Sequence, residues 1–124
     1  MMKFTFPGPG TAYSLHNHSN FSDGASSLEE MCRAAKAAGL QVFGMSDHWV
    51  VPAYEGTGTE SWRMAHDRLA EYVGTLQKLK AELDDENFTI KIGLEVDFFF
   101  ENMDEIFADL KSYPLDYLIG SVHC

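Results

Sequence analysis

A chain of 124 residues with 45% hydrophobic and 23% charged residues has the makeup of one soluble globular domain with a modest core, and it is too apolar to be a disordered segment. Its formal net charge of −10 argues against affinity for nucleic acid or anionic membranes, because the lysines and arginines form no basic stripe that could release counterions. The two cysteines, Cys32 and Cys124, make neither a CxxC pair nor a disulfide framework, and no apolar run approaches a signal peptide or a membrane span, so a reducing, cytoplasmic setting is expected.

Pro7, Gly8, Pro9 and Gly10 punctuate the lead-in, and AYSLH then predicts a first strand ending at His16. After the NHSNFSDGA loop, Ser27 and Glu30 form a capping box, and Leu28, Met31, Cys32, Ala35 and Ala38 follow at helical spacing until Gly39. LQVFGMSDH reads as a second strand, apolar with little alternation, as suits a parallel strand covered on both faces. VPAYEGTGTE is a loop by composition. Trp62, Ala65, Leu69, Tyr72, Leu76, Leu79 and Leu83 then recur in steps of three and four, which predicts one long amphipathic helix. FTIKIGLEVDFFF supplies a third strand, ENMDEIFADLKSY a shorter helix burying Met103, Ile106, Phe107 and Leu110, and LDYLIGSVH a fourth strand after Pro114. The predicted class is α/β: parallel β/α units forming one domain over residues 1–124, with all strand ends along one edge.

Metal-friendly side chains recur at those ends: His16 and His18, His48, Glu95 and His123. Two histidines spaced by two on an extended backbone point to the same side and can grip one ion, although an HxH pair alone is a weak signal. Asp23, in a Ser-Asp-Gly turn, is either a turn former or a carboxylate reaching a second metal. His48 follows Asp47, and neighbours on a strand point oppositely, so His48 is assigned to the cluster and Asp47 to a supporting acceptor or a cap. Glu95 sits between Leu94 and Val96, where an unpaired carboxylate is costly unless a cation or donor meets it, and Asp97 is its runner-up. His123 taken singly is more often a core histidine, yet it closes the fourth strand. His66 lies away from every strand end and is given no role. A triad of Ser121, His123 and Asp116 can be written, but nothing favours it.

In order and context, LHNHSNFSDG, MSDHW, GLEVDFF and YPLDYLIGSVH resemble the successive motifs of the polymerase-and-histidinol-phosphatase (PHP) superfamily, most closely its histidinol-phosphatase branch, over nearly the whole chain. The resemblance implies part of a distorted (β/α)7 TIM-like barrel. It also implies a divalent metal cluster of up to three zinc, manganese or iron ions, and hydrolysis of L-histidinol phosphate to L-histidinol in histidine biosynthesis. By motif, His16, His18, Asp23, His48, Glu95 and His123 match metal ligands, with Glu95 the bridge. Catalytic roles are expected of Glu95 and His123. Cations would also reverse the local sign of an acidic field that otherwise repels a phosphorylated substrate.

Against about 250 residues for an ordinary β/α barrel, 124 residues correspond to the N-terminal half of the family domain. The family's later histidine, its final Asp-x-His and its later basic residues do not occur in this sequence. Turnover by these residues alone is therefore not implied, and self-association or pairing with a C-terminal segment is expected to cover the open sheet edge. Two alternatives stand beside the phosphatase reading: another PHP phosphoesterase, including a polymerase-associated exonuclease, and a non-catalytic structural or binding fragment. No function is assigned to Cys124.

Overall fold

The computed structural model describes residues 12–50, 62–98, 104, 108 and 110–122. Four strands, β1 (Tyr13–Ser14), β2 (Val42–Val50), β3 (Thr89–Phe98) and β4 (Tyr117–Val122), form one sheet in the order β1-β2-β3-β4 with every neighbouring pair parallel. The connecting segments carry α1 (Leu28–Ala37) and α2 (Leu69–Leu83). Each connection advances the sheet by one strand in the same direction, as in a barrel wall, whereas a doubly wound sheet reverses its order at a switch point.

Local chemistry sets the element ends. The Ser27 hydroxyl accepts the Glu30 amide at 3.1 Å while the Glu30 carboxylate accepts the Ser27 amide at 2.9 Å, which satisfies two donors at the start of α1. Just beyond its end, Gly39 adopts φ +86°, a conformation that costs a side-chain-bearing residue energy. Arg33 on α1 pairs with Glu29 and reaches Glu82 on α2, tying the helices at the surface. Between helices and sheet, Leu28, Cys32, Met45, Trp49, Tyr72, Leu76, Ile90 and Leu94 belong to one buried cluster.

Cys32 sits in this layer with no exposed surface, and burial, followed by the nearby Asp84 charge, pushes its thiol up to about 12. Two outcomes are expected. Peptide mapping should find Cys32 unmodified by iodoacetamide at pH 8 in the folded chain and modified in denaturant, since the thiolate is the reactive form. The sign of the pH effect follows from a folded pKa raised above 9.0: the contribution to stability is complete below pH 9 and is lost as pH rises toward about 12.

The opposite face of the sheet is concave, and one side chain spans it. Tyr117 opens β4 in register with Gly93, and its ring lies over Gly93 and Gly44. Its hydroxyl donates to the Leu15 carbonyl at 2.6 Å and lies 3.1 Å from that of Met45, so a residue of the fourth strand touches the segment that follows the first. Burial pushes the phenol above its ordinary pKa. At the foot of β4, Asp116 clasps Ile92 by donating its amide to the Ile92 carbonyl (2.6 Å) and accepting the Ile92 amide on its carboxylate (2.8 Å), a structural task.

Four elements differ from the sequence expectation, the second strand by running Val42–Val50 where residues 40–48 are expected. The first strand stops at Ser14 instead of His16, because the next carbonyls are taken otherwise: Leu15 by Tyr117, Asn17 by the Ser46 amide at 2.8 Å. The long helix begins at Leu69; Trp62 and Ala65 precede it, and a 3-10 turn, His66–Arg68, forms its approach. Ala38 caps α1 and is exposed instead of packing. Asp104, Ala108 and Leu110 are helical and Leu110 is buried, in line with the predicted third helix; Met103, Ile106, Phe107 and the VPAYEGTGTE loop lie outside the described residues.

Candidate metal centre

β2 and β3 place the first pair of groups. His48 and Glu95 are register partners on adjacent parallel strands, so their side chains leave the same face side by side, with His48 Nδ1 3.8 Å from Glu95 Oε2. The HNH segment is fastened to β2 through its central residue. The Asn17 amide donates to Ser46 Oγ (3.0 Å), and its side-chain amide donates to the Gly44 carbonyl (2.9 Å). The flanking imidazoles then converge on one atom: His16 Nε2 is 2.5 Å and His18 Nε2 2.9 Å from Glu95 Oε1.

The loop after His18 folds back tightly. The Ser22 and Gly24 amides both donate to the Ser19 carbonyl, at 3.1 and 2.9 Å, and a Cβ on Gly24 would stand 2.3 Å from the His18 carbonyl oxygen, a space only glycine leaves open. This turn delivers Asp23, whose Oδ1 lies 2.8 Å from His18 Nδ1 and Oδ2 3.3 Å from His48 Nε2. The His18 and His48 rings are 4.3 Å apart. Two groups result, His16–His18–Glu95 and His18–Asp23–His48, each with ligand atoms within 4.8 Å of one another.

The donors fit a divalent cation. Ligands about 2.0–2.2 Å from a tetrahedral zinc ion stand roughly 3.3–3.6 Å from each other, and the separations here, 2.5 to 3.8 Å, bracket that spacing. Imidazole with carboxylate is also the donor set that zinc, manganese and iron share. Glu95 is only 12% exposed while the His16 ring is 59% exposed, so the cluster has a sheltered floor and an open rim.

Asp47 takes no place in the cluster. It is wholly buried on the other face, where it accepts the Ser19 amide (2.6 Å), the Ser19 hydroxyl (2.8 Å) and the Ser22 hydroxyl (2.6 Å). Burial raises its pKa and these hydrogen bonds oppose the rise. Of the alternatives weighed from sequence, the supporting acceptor is the one realised. His66 turns its Nε2 to the Val50 carbonyl and packs edge-on to Trp49. His123 and the side chain of Asp97 lie outside the described residues. Sequence reasoning missed Asn17, Ser19 and Ser22, whose only signal was the density of small polar residues around HxH. It also missed Trp62, which packs edge-on to His48 at 5.0 Å between ring centroids.

The family model for the PHP domain matches residues 14–124. The chain belongs to the PHP family. Within it, 94 residues are 32% identical to the "Probable histidinol-phosphatase" of Deinococcus radiodurans, covering 76% of this chain and 35% of that protein. Over 110 residues the chain is 32% identical to the "DNA polymerase/3'-5' exonuclease PolX" of Bacillus subtilis, covering 88% of this chain and 18% of that one. Among solved structures, histidinol phosphate phosphatase from Lactococcus lactis, complexed with zinc, L-histidinol and phosphate, aligns with a TM-score of 0.72 and 29% identity over 92% of this chain and 41% of its own. This PHP chain thus spans about a third or less of the curated relatives it matches, and its parallel wall corresponds to part of a TIM-like fold.

Proposed function

We propose that this PHP chain carries a divalent-metal centre and contributes it to a phosphomonoesterase that converts L-histidinol phosphate to L-histidinol and phosphate, a cytoplasmic step of histidine biosynthesis. The observation that supports this most is the convergence of His16 and His18 on one oxygen of Glu95, with Asp23 bridging His18 and His48 beside them. In this reading His16, His18, Asp23, His48, Glu95 and His123 would hold the cations, with Glu95 facing His16, His18 and His48 at once. When bound, divalent cations would supply positive charge that neutralises phosphoryl oxygens and makes a neighbouring water a stronger acid. The chain's own part is to hold that charge: the imidazoles of His16, His18, His48 and His123 would contribute donors without cancelling it, and Glu95 on β3 would fix where it sits. The likeness to the zinc, L-histidinol and phosphate complex from Lactococcus lactis supports zinc and this substrate class.

The exonuclease relative supports a second phosphoester substrate, single-stranded DNA, which the net charge of −10 disfavours. The test loads the protein carrying this chain with Zn2+, Mn2+ or Fe2+ and compares L-histidinol phosphate, other phosphomonoesters and single-stranded DNA. A kcat/KM for L-histidinol phosphate about tenfold or more above the others is expected. Faster cleavage of DNA replaces the assignment with a nuclease, and bound metal without hydrolysis of any of them reduces the chain to a binding element.

A further inference from the structure

Resting on the metal-centre reading, we propose that Asp47 is a positioning residue that selectively builds the subsite containing Asp23. The two groups of donors are supported differently. His16, His18 and Glu95 hang from Asn17, stapled to β2, and from β3 itself. Asp23 instead lies in the turn after Ser19, with 39% of its side chain exposed and, among the described residues, His18 and His48 beside its carboxylate. Asp47 anchors that turn from beneath, alongside Phe21, whose ring packs edge-on to Tyr72 at 5.5 Å between centroids. Among the described residues Asp47 accepts from the Ser19 amide, the Ser19 hydroxyl and the Ser22 hydroxyl, and Ser19 and Asp47 are both fully buried.

A purely structural role leaves the choice of residue unexplained. Met45 and Trp49 occupy the flanking positions on the same face of β2, and both are apolar and buried in the core cluster. A carboxylate among them is costly unless fully hydrogen-bonded, and among the described residues its donors belong to the turn that ends in Asp23. One strand therefore contributes to the subsite from both faces: His48 as a donor on the concave side, Asp47 as the fastener of the opposing donor's loop on the other. This predicts unequal consequences, with the Asp23–His48 subsite sensitive to Asp47 and the His16–His18–Glu95 subsite insensitive.

Co2+ is the probe, since its visible absorption reports coordination geometry independently of turnover. Titration of the 124-residue chain is expected to show two steps, with Asp23→Ala removing one and His16→Ala the other. Asp47→Asn keeps the size of the side chain but offers one acceptor where two stood. It should weaken the Asp23-dependent step about tenfold or more, as losing a partner that orients a ligand commonly does, and leave the His16-dependent step unchanged. Because Asp47→Asn can fail to fold, Ser22→Ala serves as the second variant. It removes one hydrogen bond from a half-buried turn residue and is expected to shift the same step in the same direction, while Ser22→Thr, which keeps the hydroxyl, restores it. An Asp23-dependent step unchanged in Ser22→Ala, or both steps weakened together, overturns the proposal. A wild-type chain that binds no Co2+ instead overturns the metal-centre reading beneath it.

Discussion

Replacing Glu95 by glutamine should abolish high-affinity cation binding at the rim, with affinity falling more than about 100-fold, beyond the 10–100-fold typical of losing a group that only supports a ligand. The substitution is nearly isosteric, so volume and one acceptor oxygen survive while the negative charge is lost. That charge lies where it cannot be replaced: Glu95 Oε1 is the point on which His16 Nε2 and His18 Nε2 converge, at 2.5 and 2.9 Å, and Oε2 faces His48. Two neutral imidazoles and an amide oxygen leave a divalent ion almost uncompensated in a sheltered site.

The clearest readout is thermal or urea unfolding with and without Zn2+. A ligand that binds only the folded chain stabilises it by about 2.7 kcal/mol at a concentration 100 times its Kd, so the wild-type chain should gain an increment of that order under those conditions. The Glu95→Gln chain should gain almost none at the same Zn2+ concentration, while its stability without metal stays near that of wild type. Retention of the full increment would mean that the cation sits elsewhere, and the convergence of the two histidines would then be an ordinary hydrogen-bonded cluster.

How much of this could be read from residues alone depended on whether the deciding interaction was local. The capping box of Ser27 and Glu30 and the stop at Gly39 are local and fall where expected, and the apolar run of the second strand does form a strand, two residues further on at Val42–Val50. The HxH pair, His48 and Glu95 were legible because parallel strands place their ends on one rim, and the register pairing His48 with Glu95 does so. The early end of the first strand was not legible. It is decided by Tyr117, 102 residues from Leu15, taking a carbonyl that would otherwise continue the ladder. The part played by Ser19 and Ser22 was hidden for a related reason, since their acceptor lies on the far face of another strand. Trp62 matched the helical period but belongs to the approach to α2, where it meets His48 instead of the core stripe.

Tyr117 also underlies the second large effect expected. Gly93→Ala should destabilise the fold by about 2–4 kcal/mol in urea unfolding, combining overpacking of about 1–3 kcal/mol with about 1 kcal/mol for a displaced hydrogen bond. A Cβ at Gly93 would stand 2.5 Å from Tyr117 Cζ and 2.6 Å from Cε1, distances no relaxed contact tolerates. The ring cannot slide toward β2, because a Cβ built at Gly44 is already 2.3 Å from the Tyr117 hydroxyl, which marks how closely the ring lies on that backbone. It must lift from the concave face and release the Leu15 carbonyl, which it holds at 2.6 Å. Leu15 immediately precedes His16, so the same substitution should weaken cation binding at the His16–His18–Glu95 group. A double-mutant cycle separates this account from a generic intolerance of alanine at a strand glycine. In a Tyr117→Ala background, itself less stable, Gly93→Ala should cost almost nothing, giving a coupling energy close to the single-mutant loss. If the loss persists without the ring, the glycine is required by the backbone itself and the close contact with Tyr117 does not account for it.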